Sequence, residues 1–199
     1  MDVAHNLEED NPTDVKEWIP TGSTWLDSIV CKGKKGGIPI GKVVELAGLP
    51  STGKSYMACQ IAANAQKMGI DVIYFDAESA IDSDFIKAIG VDTSKMIYVQ
   101  PTSVEFVLET IESLLESNEN RMLFIWDSLA FTPAALDVEG DFNPQSSMAI
   151  KARILSKAMS KLAVPIAISQ STLLVLNQLK TNIATGPGAH IAAMTTPYV

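Results

Sequence analysis

The chain has 199 residues, of which 47% are hydrophobic and 19% charged, so it is long enough for one sizeable core and too short for two comfortable domains. It has no run of about 18 apolar residues and no basic, apolar start, which argues against membrane and secreted proteins and predicts a cytoplasmic protein with no membrane partner. The formal net charge of −8 argues against a nucleic-acid partner, unless the charge is unevenly distributed.

Acidic residues are concentrated at the start of the chain. Residues 1–17 contain six acids against Lys16, so five of the eight net negative charges belong to this segment. Such a segment is typical of a solvated tail. We therefore predict a short acidic tail over residues 1–20 and one folded domain over residues 21–199.

Beyond the tail, apolar runs alternate with helical apolar spacing. Residues 18–40 contain Thr-Gly-Ser, a lysine cluster and two adjacent glycines, which predicts a short helix and then a turn. Five short apolar runs then predict strands over 43–47, 72–75, 96–99, 122–126 and 172–176.

Helices are predicted between these strands. The clearest has an apolar stripe at Val104, Val107, Leu108, Ile111, Leu114 and Leu115. Thr102 and Glu105 form a capping-box signature at its start. A second stripe predicts a long helix through Met148, Ala152, Leu155, Met159 and Leu162. The alternation predicts an α/β fold, a mostly parallel twisted sheet flanked by helices on both faces.

The turn after the first of these strands carries a phosphate-binding motif. GLPSTGKS matches G-x-x-x-x-G-K-[ST] and lies between a predicted strand and a predicted helix, the context that the motif requires. Backbone N–H groups of such a loop curl round a phosphate, Lys54 bridges the β- and γ-phosphates, and the Ser55 hydroxyl binds Mg²⁺. The alternative is a chance glycine-rich turn. The predicted nucleotide-binding residues are Gly48, Leu49, Pro50, Ser51, Thr52, Gly53, Lys54, Ser55 and Tyr56.

Acidic residues follow two other strands at the same predicted edge. Asp127 ends the strand 122–126 and is expected to hold Mg²⁺, directly or through water; the alternative is a helix N-cap. Asp76 and Glu78 follow the strand 72–75, and hydrolysis needs a carboxylate there to orient and deprotonate water. Glu78 is the better candidate because it lies just past the strand, whereas Asp76 could equally bond a neighbouring loop.

The charge distribution also changes near the C-terminus. No acid follows Asp141, so the last third is formally +5 and everything before it is −13. Any anionic partner should therefore dock on that last third.

Five blocks of sequence resemble the bacterial and phage RecA recombinases. TGSTWLDSIV, GGIPIGKVVELAGLPSTGKS, YFDAESAID, FIWDSLA and LLVLNQL stand in that family's order and spacing, over residues 21–178. The resemblance implies a RecA-like P-loop ATPase core with ATP and Mg²⁺ as cofactors. It also implies that Glu78 is the catalytic carboxylate, that Asp82 and Phe85 contact the adenine, and that Gln178, beside Asn177, senses the γ-phosphate.

Two DNA-binding loops are also implied by the resemblance. The first corresponds to residues 133–147, which lead into the next helix, and the second starts at Leu179. The implied partners are single-stranded DNA and homologous duplex DNA, gripped without sequence readout. For Lys151, Lys157 and Lys161 the alternative is a solvated helix face. The residues assigned to DNA are Glu139, Gly140, Met148, Arg153, Lys180 and Ile183.

The chain departs from the family in three places. Trp126 stands where a small aliphatic residue is usual, so the strand must make room for an indole. The N-terminal segment is shorter than the usual polymerisation arm, which leaves self-association into a filament or ring open. The chain also stops within the second loop, so we expect a fragment or a truncated reading frame.

Function follows from the resemblance together with the motifs. We expect a DNA-dependent ATP hydrolase of homologous recombination and repair that pairs strands and exchanges them. One alternative is another ATPase on the same core, such as a helicase or a repair-associated relative. Another is a truncated, non-catalytic module that binds nucleotide or DNA.

Overall fold

The computed structural model describes most of the chain, in four stretches: 14–33, 36–139, 144–181 and 194–195. For a few of these residues only the backbone is placed: 139, 144–149, 180–181 and 194–195. Among the DNA-binding predictions, Gly140 and Ile183 therefore lie outside the described residues.

Strands and helices alternate along the chain. The strands are β1 (Trp18–Ile19), β2 (Ile38–Pro39), β3 (Val43–Gly48), β4 (Asp71–Asp76), β5 (Met96–Val99), β6 (Met122–Asp127), β7 (Thr172–Gln178), β8 (Lys180–Thr181) and β9 (Met194–Thr195). The α-helices are α1 (Thr24–Val30), α2 (Lys54–Lys67), α3 (Ser83–Ile89), α4 (Val104–Ser117), α5 (Ala135–Glu139) and α6 (Pro144–Ile168).

Five strands form one sheet in the order β3-β7-β6-β4-β5, and every pairing in it is parallel. These are the five strands that the sequence predicts, with ends that differ by two residues at most. The short antiparallel pairs β1-β2 and β8-β9 lie apart from it. The predicted α/β fold is confirmed.

Alternate residues of each central strand enter two different cores, because successive side chains of a strand point to opposite faces. In β6, Leu123 and Ile125 pack in the core that contains the apolar face of α2. Phe124 and Trp126 pack in the core that contains α4 and α6. The sheet is therefore covered on both faces, as the near-continuous apolar strands require.

Trp126 is fully buried in the second of these cores. Its indole Nε1 donates a hydrogen bond to Thr132 Oγ1 at 2.8 Å. A buried tryptophan needs such a partner for its N–H group. The indole is therefore accommodated by a hydroxyl from the connection that follows β6.

The packed part of the chain begins earlier than predicted. Trp18 and Ile19 form β1, which pairs with β2, and Ile19 is fully buried. The predicted tail over residues 1–20 therefore extends too far, because apolar burial includes its last residues. The predicted short helix is present as α1, capped by the Ser23 side chain, which accepts from Leu26 N.

The predicted capping box at the start of α4 is wrong. Ser103, one residue later than Thr102, caps the helix, and its Oγ accepts a hydrogen bond from Phe106 N at 3.1 Å. Glu105 instead accepts from Ala135 N at 2.9 Å. The acidic residue therefore links α4 to the start of α5 instead of closing its own helix.

The long predicted helix is present as α6, which begins at Pro144 and continues past Pro165 to Ile168. Leu155 and Leu162 of its apolar stripe are buried. Although α6 has 25 residues, no helix in the four described stretches combines the length and apolar character needed to cross a bilayer.

Candidate functional site

The carboxyl ends of four parallel strands open onto one cleft of about 290 Å³. The loop after β3 forms one wall, Glu78 follows β4, and Asp127 and Gln178 end β6 and β7. Each described residue that lines the cleft is one that the sequence predicts for the site: Ser51, Thr52, Gly53, Lys54, Ser55, Tyr56, Glu78, Asp127 and Gln178.

The phosphate loop depends on two glycines. Gly53 precedes α2 with a φ of +89°, a left-handed conformation that favours glycine. At Gly48, an added Cβ would stand 3.0 Å from Thr52 Oγ1, so a side chain there would press on the loop. The first N–H groups of α2 have no acceptor within the helix, and its dipole adds positive potential. This geometry suits an anion.

Lys54 folds back over its own loop. Its Nζ donates to Leu49 O at 2.8 Å and to Gly48 O at 3.2 Å. Thr52 Oγ1 also donates to Leu49 O, at 2.8 Å. The ammonium group therefore lies above the loop that would cradle a phosphate, within reach of it.

Asp127 is buried and accepts a hydrogen bond from the Tyr74 hydroxyl, which donates to Oδ2 at 2.8 Å. The Ser55 hydroxyl lines the cleft beside the same carboxylate. Burial raises the pKa of Asp127, the carboxylates of Glu78 and Asp76 raise it further, and the two hydroxyl groups partly offset these effects. The alternative role of Asp127 as a helix N-cap is not seen.

The oxygen atoms beside Asp127 fit Mg²⁺. Ser55 offers a hydroxyl and Asp127 a carboxylate, both hard ligands, and the nearby Glu78 and Asp76 leave the site with excess negative charge. Within the described part of the chain, no three His, Cys, Asp or Glu side chains are grouped to hold a metal by themselves. Mg²⁺ commonly uses one or two protein oxygens with substrate phosphates and water. Ser55 and Asp127 are therefore suited to a nucleotide-bound ion.

Glu78 extends into the cleft as an exposed side chain. Its Oε1 accepts a hydrogen bond from Ser128 Oγ at 2.6 Å and a longer one from Gln178 Nε2 at 3.3 Å. The two carboxylate candidates therefore differ in surroundings, because Glu78 faces the cleft while Asp76 is buried.

Asp76 is engaged by the loop that follows it. Its two oxygens accept hydrogen bonds from Glu78 N, Ile81 N and the Tyr98 hydroxyl at 2.9–3.1 Å. These contacts hold the segment that carries Glu78. Asp76 thus has the structural role that the sequence left open for it.

The residues assigned to the adenine lie beside the phosphate loop. Asp82 is the N-cap of α3 and accepts hydrogen bonds from the backbone of Asp84 and Phe85. The Phe85 ring is 47% exposed, and its centroid lies 6.1 Å from that of Tyr56, tilted by 56°. The two rings offer an accessible aromatic surface near the cleft.

The end of β7 is held in place by the side chain of Asn177, the residue before Gln178. Asn177 is fully buried, and its Nδ2 donates to Glu45 Oε1 on β3 at 2.8 Å. Its Oδ1 accepts from Gln178 N at 2.9 Å. Since β3 and β7 are adjacent strands, this bond ties the β7 end to the strand that leads into the phosphate loop.

The structure describes the DNA-binding predictions only in part. Arg153 is exposed on α6. Of Glu139, Met148 and Lys180 only the backbone is placed, in α5, α6 and β8 respectively.

The three lysines of α6 have three different surroundings. Lys151 is buried and donates to Leu129 O and Thr132 O. Lys161 forms an ion pair with Glu112 of α4. Lys157 is exposed, as the solvated-face alternative expects, and that alternative is wrong for Lys151.

Sequence reasoning missed two residues that bond the carboxylates of the cleft, Tyr74 and Ser128, and it missed the burial of Lys151. Tyr74 is the one polar ring of its apolar strand run, and Ser128 directly follows Asp127, so both carried a signal. Lys151 carried none, because only tertiary packing shows that its ammonium group points inward.

The RecA N-terminal domain family matches residues 3–193. The protein named RecA from Streptomyces avermitilis is 37% identical over 174 residues, which are 87% of this chain and 45% of that protein. The protein of the same name from Streptomyces rimosus is 39% identical over 167 residues, which are 84% of this chain and 43% of that protein. The one from Bifidobacterium breve is 36% identical over 174 residues, which are 87% of this chain and 43% of that protein. The chain spans less than half of the length of these relatives.

Replacing Asp127 by asparagine should stabilise the nucleotide-free protein. A raised pKa means that ionised Asp127 destabilises the fold above the unfolded-state pKa, and that the penalty fades as pH falls through the folded-state pKa. Asp127→Asn should therefore raise the Tm at pH 7, and the gain should shrink at pH 4. Calorimetric melts at both pH values test this, with the exposed Glu109→Gln as control. A lower Tm for Asp127→Asn at pH 7 would contradict the electrostatic account.

Proposed function

The chain belongs to the RecA family, and from that premise we propose that it binds ATP with Mg²⁺, hydrolyses it and couples hydrolysis to single-stranded DNA in recombination and repair. The observation that carries the proposal is the convergence of Lys54, Ser55, Glu78, Asp127 and Gln178 on one cleft. These residues end or follow four separate strands, so it is the fold of the sheet that brings them together.

The nucleotide phosphates are assigned to the loop before α2. The N–H groups of this loop and Lys54 supply positive potential. When phosphate binds, Lys54 exchanges its hydrogen bonds to the carbonyls of Gly48 and Leu49 for bonds to the phosphate oxygens. Ser55 and Asp127 would hold Mg²⁺, which neutralises phosphate charge during transfer. Tyr74 keeps Asp127 in place for that role.

Glu78 is proposed as the general base. Its carboxylate faces the cleft, where it can accept a proton from the water that attacks the γ-phosphate. Gln178 contacts the same carboxylate, so it is placed to respond to the γ-phosphate and to pass that response to the segment after β7. The base and the sensor are thus in contact.

The proposed DNA surface is the part of the chain after Asp141, which is formally +5. Lys151 is buried and Lys161 is paired, so Arg153 and Lys157 are the exposed cations of α6 available for phosphate contacts. The proposed partners include homologous duplex DNA, which would be paired with the bound single strand. ATP turnover with and without single-stranded DNA separates this function from a different ATPase or a binding module.

Removing the lysine of the phosphate loop should weaken nucleotide binding. Lys54→Ala loses a charge-assisted contact of about 2 kcal/mol, so the Kd for ATP-Mg should rise about thirtyfold. Isothermal titration calorimetry measures this, and Lys67→Ala, at the far end of the same helix, is the matched control. Equal affinity of the Lys54 variant and the parent chain would refute the assignment.

Replacing the proposed base should separate binding from hydrolysis. Glu78→Gln keeps the shape and removes the basicity, so kcat should fall by roughly 10² or more while ATP affinity is retained. Steady-state phosphate release gives kcat, and Glu109→Gln controls for loss of a surface acid. Normal hydrolysis by Glu78→Gln would assign the base elsewhere.

DNA binding should be driven by phosphate contacts. Arg153→Ala and Lys180→Ala should each weaken single-strand binding and lower the salt slope by about one, with little dependence on base sequence. Gln178→Ala should leave the separate ATP and DNA affinities intact and remove the effect of one on the other. Fluorescence anisotropy over a salt series measures these quantities, with the exposed Lys87→Ala as control. A parent chain that binds no single strand at low salt would eliminate the DNA part of the proposal.

A further inference from the structure

Lys151 is a buried cation outside the nucleotide cleft. It lies on α6 and is only 4% exposed. Its Nζ donates to Thr132 O at 2.6 Å and to Leu129 O at 2.7 Å. Burying an ammonium group is unfavourable, and an apolar side chain of similar length would fill the same space. The hydrogen bonds to the two carbonyls are therefore contacts that the lysine makes and an apolar side chain would not.

Both carbonyls belong to one turn, residues 128–132, which directly follows Asp127. Within it, Thr132 Oγ1 donates to Ser128 O at 3.0 Å and accepts from Trp126 Nε1 at 2.8 Å. Leu129 N donates to Leu176 O of β7 at 3.0 Å. The turn is thus fixed to β6, to β7 and, through Lys151, to α6.

The same turn carries the shortest contact to the proposed base. Ser128 is fully buried, and its Oγ donates to Glu78 Oε1 at 2.6 Å. Glu78 itself is exposed, so packing does little to select its rotamer. The position of the turn therefore helps to set where the carboxylate lies, together with the longer bond from Gln178.

We propose that Lys151 is a positioning residue that fixes the turn 128–132 and, through Ser128, the orientation of Glu78. This inference rests on the proposed catalytic role of Glu78. The chain of contacts is continuous: Lys151 to Thr132, Thr132 to Ser128, and Ser128 to Glu78.

The first test separates positioning from stability. Lys151→Met keeps length and removes the donors, so kcat should fall at least tenfold while the KM for ATP changes less than twofold, with and without single-stranded DNA. Lys151→Gln restores one donor and should recover most of the loss. Lys157→Met, exposed on the same helix, is the matched control. If Lys151→Met lowers the Tm but leaves kcat per folded molecule unchanged, the inference is overturned. If Lys151→Met does not fold, Lys151→Gln takes its place, and its kcat should be about threefold lower than that of the parent chain.

The second test is a double-mutant cycle for kcat with Ser128→Ala. If Lys151 acts through Ser128, the combined variant should be no slower than the worse single variant, because the two substitutions break one path. Multiplication of the two effects would show independent roles and overturn the proposed route.

A third test needs no hydrolysis. The chain has three tryptophans, and Trp18→Phe with Trp25→Phe leaves Trp126, which is bonded to the same turn, as the only tryptophan, which is excited selectively near the red edge of its absorption. In that background, Lys151→Met should shift Trp126 emission to longer wavelength as the turn loosens, whereas Lys157→Met should not. An unchanged spectrum overturns the role of Lys151. Absence of ATP hydrolysis in the parent chain would instead refute the proposed function, so the two failures are distinguishable.

Discussion

The parallel register of the central sheet is the constraint on which the site depends. Gly48 pairs with Gln178, and Asp76 pairs with Asp127, so the functional ends of four strands stop at one level. A slip of one residue would turn each of these side chains to the opposite face. The apolar alternation that fills the two cores therefore also fixes the geometry of the candidate cleft.

Local patterns predicted most of the fold and of the cleft. The strand runs, the GLPSTGKS loop and Asp127 are each read from adjacent residues, and they are found where the sequence places them. The errors and omissions concern choices between neighbours or long-range contacts. Ser103 caps α4 in place of Thr102, while tertiary hydrogen bonds engage Glu105 and draw Lys151 into the core. Periodicity carries no information about them.

The site concentrates polar groups that a core would otherwise avoid. Asp127 and Asp76 are buried beside Glu78, and the burial raises the pKa of Asp127. Tyr74 donates a hydrogen bond to Asp127, and Ser128 donates one to Glu78. The scaffold thus holds carboxylates close together, an arrangement that would suit a cation.

The Lys54 ammonium group already has two partners within its own loop, because it donates hydrogen bonds to Gly48 O and Leu49 O. An incoming anion has to displace these internal contacts, so only the difference between the new and old partners contributes to affinity. A group with little charge gains almost nothing from the exchange, whereas a polyphosphate gains several charge-assisted bonds at once. If the loop binds nucleotide as proposed, it would therefore discriminate among ligands by charge density before any base is recognised.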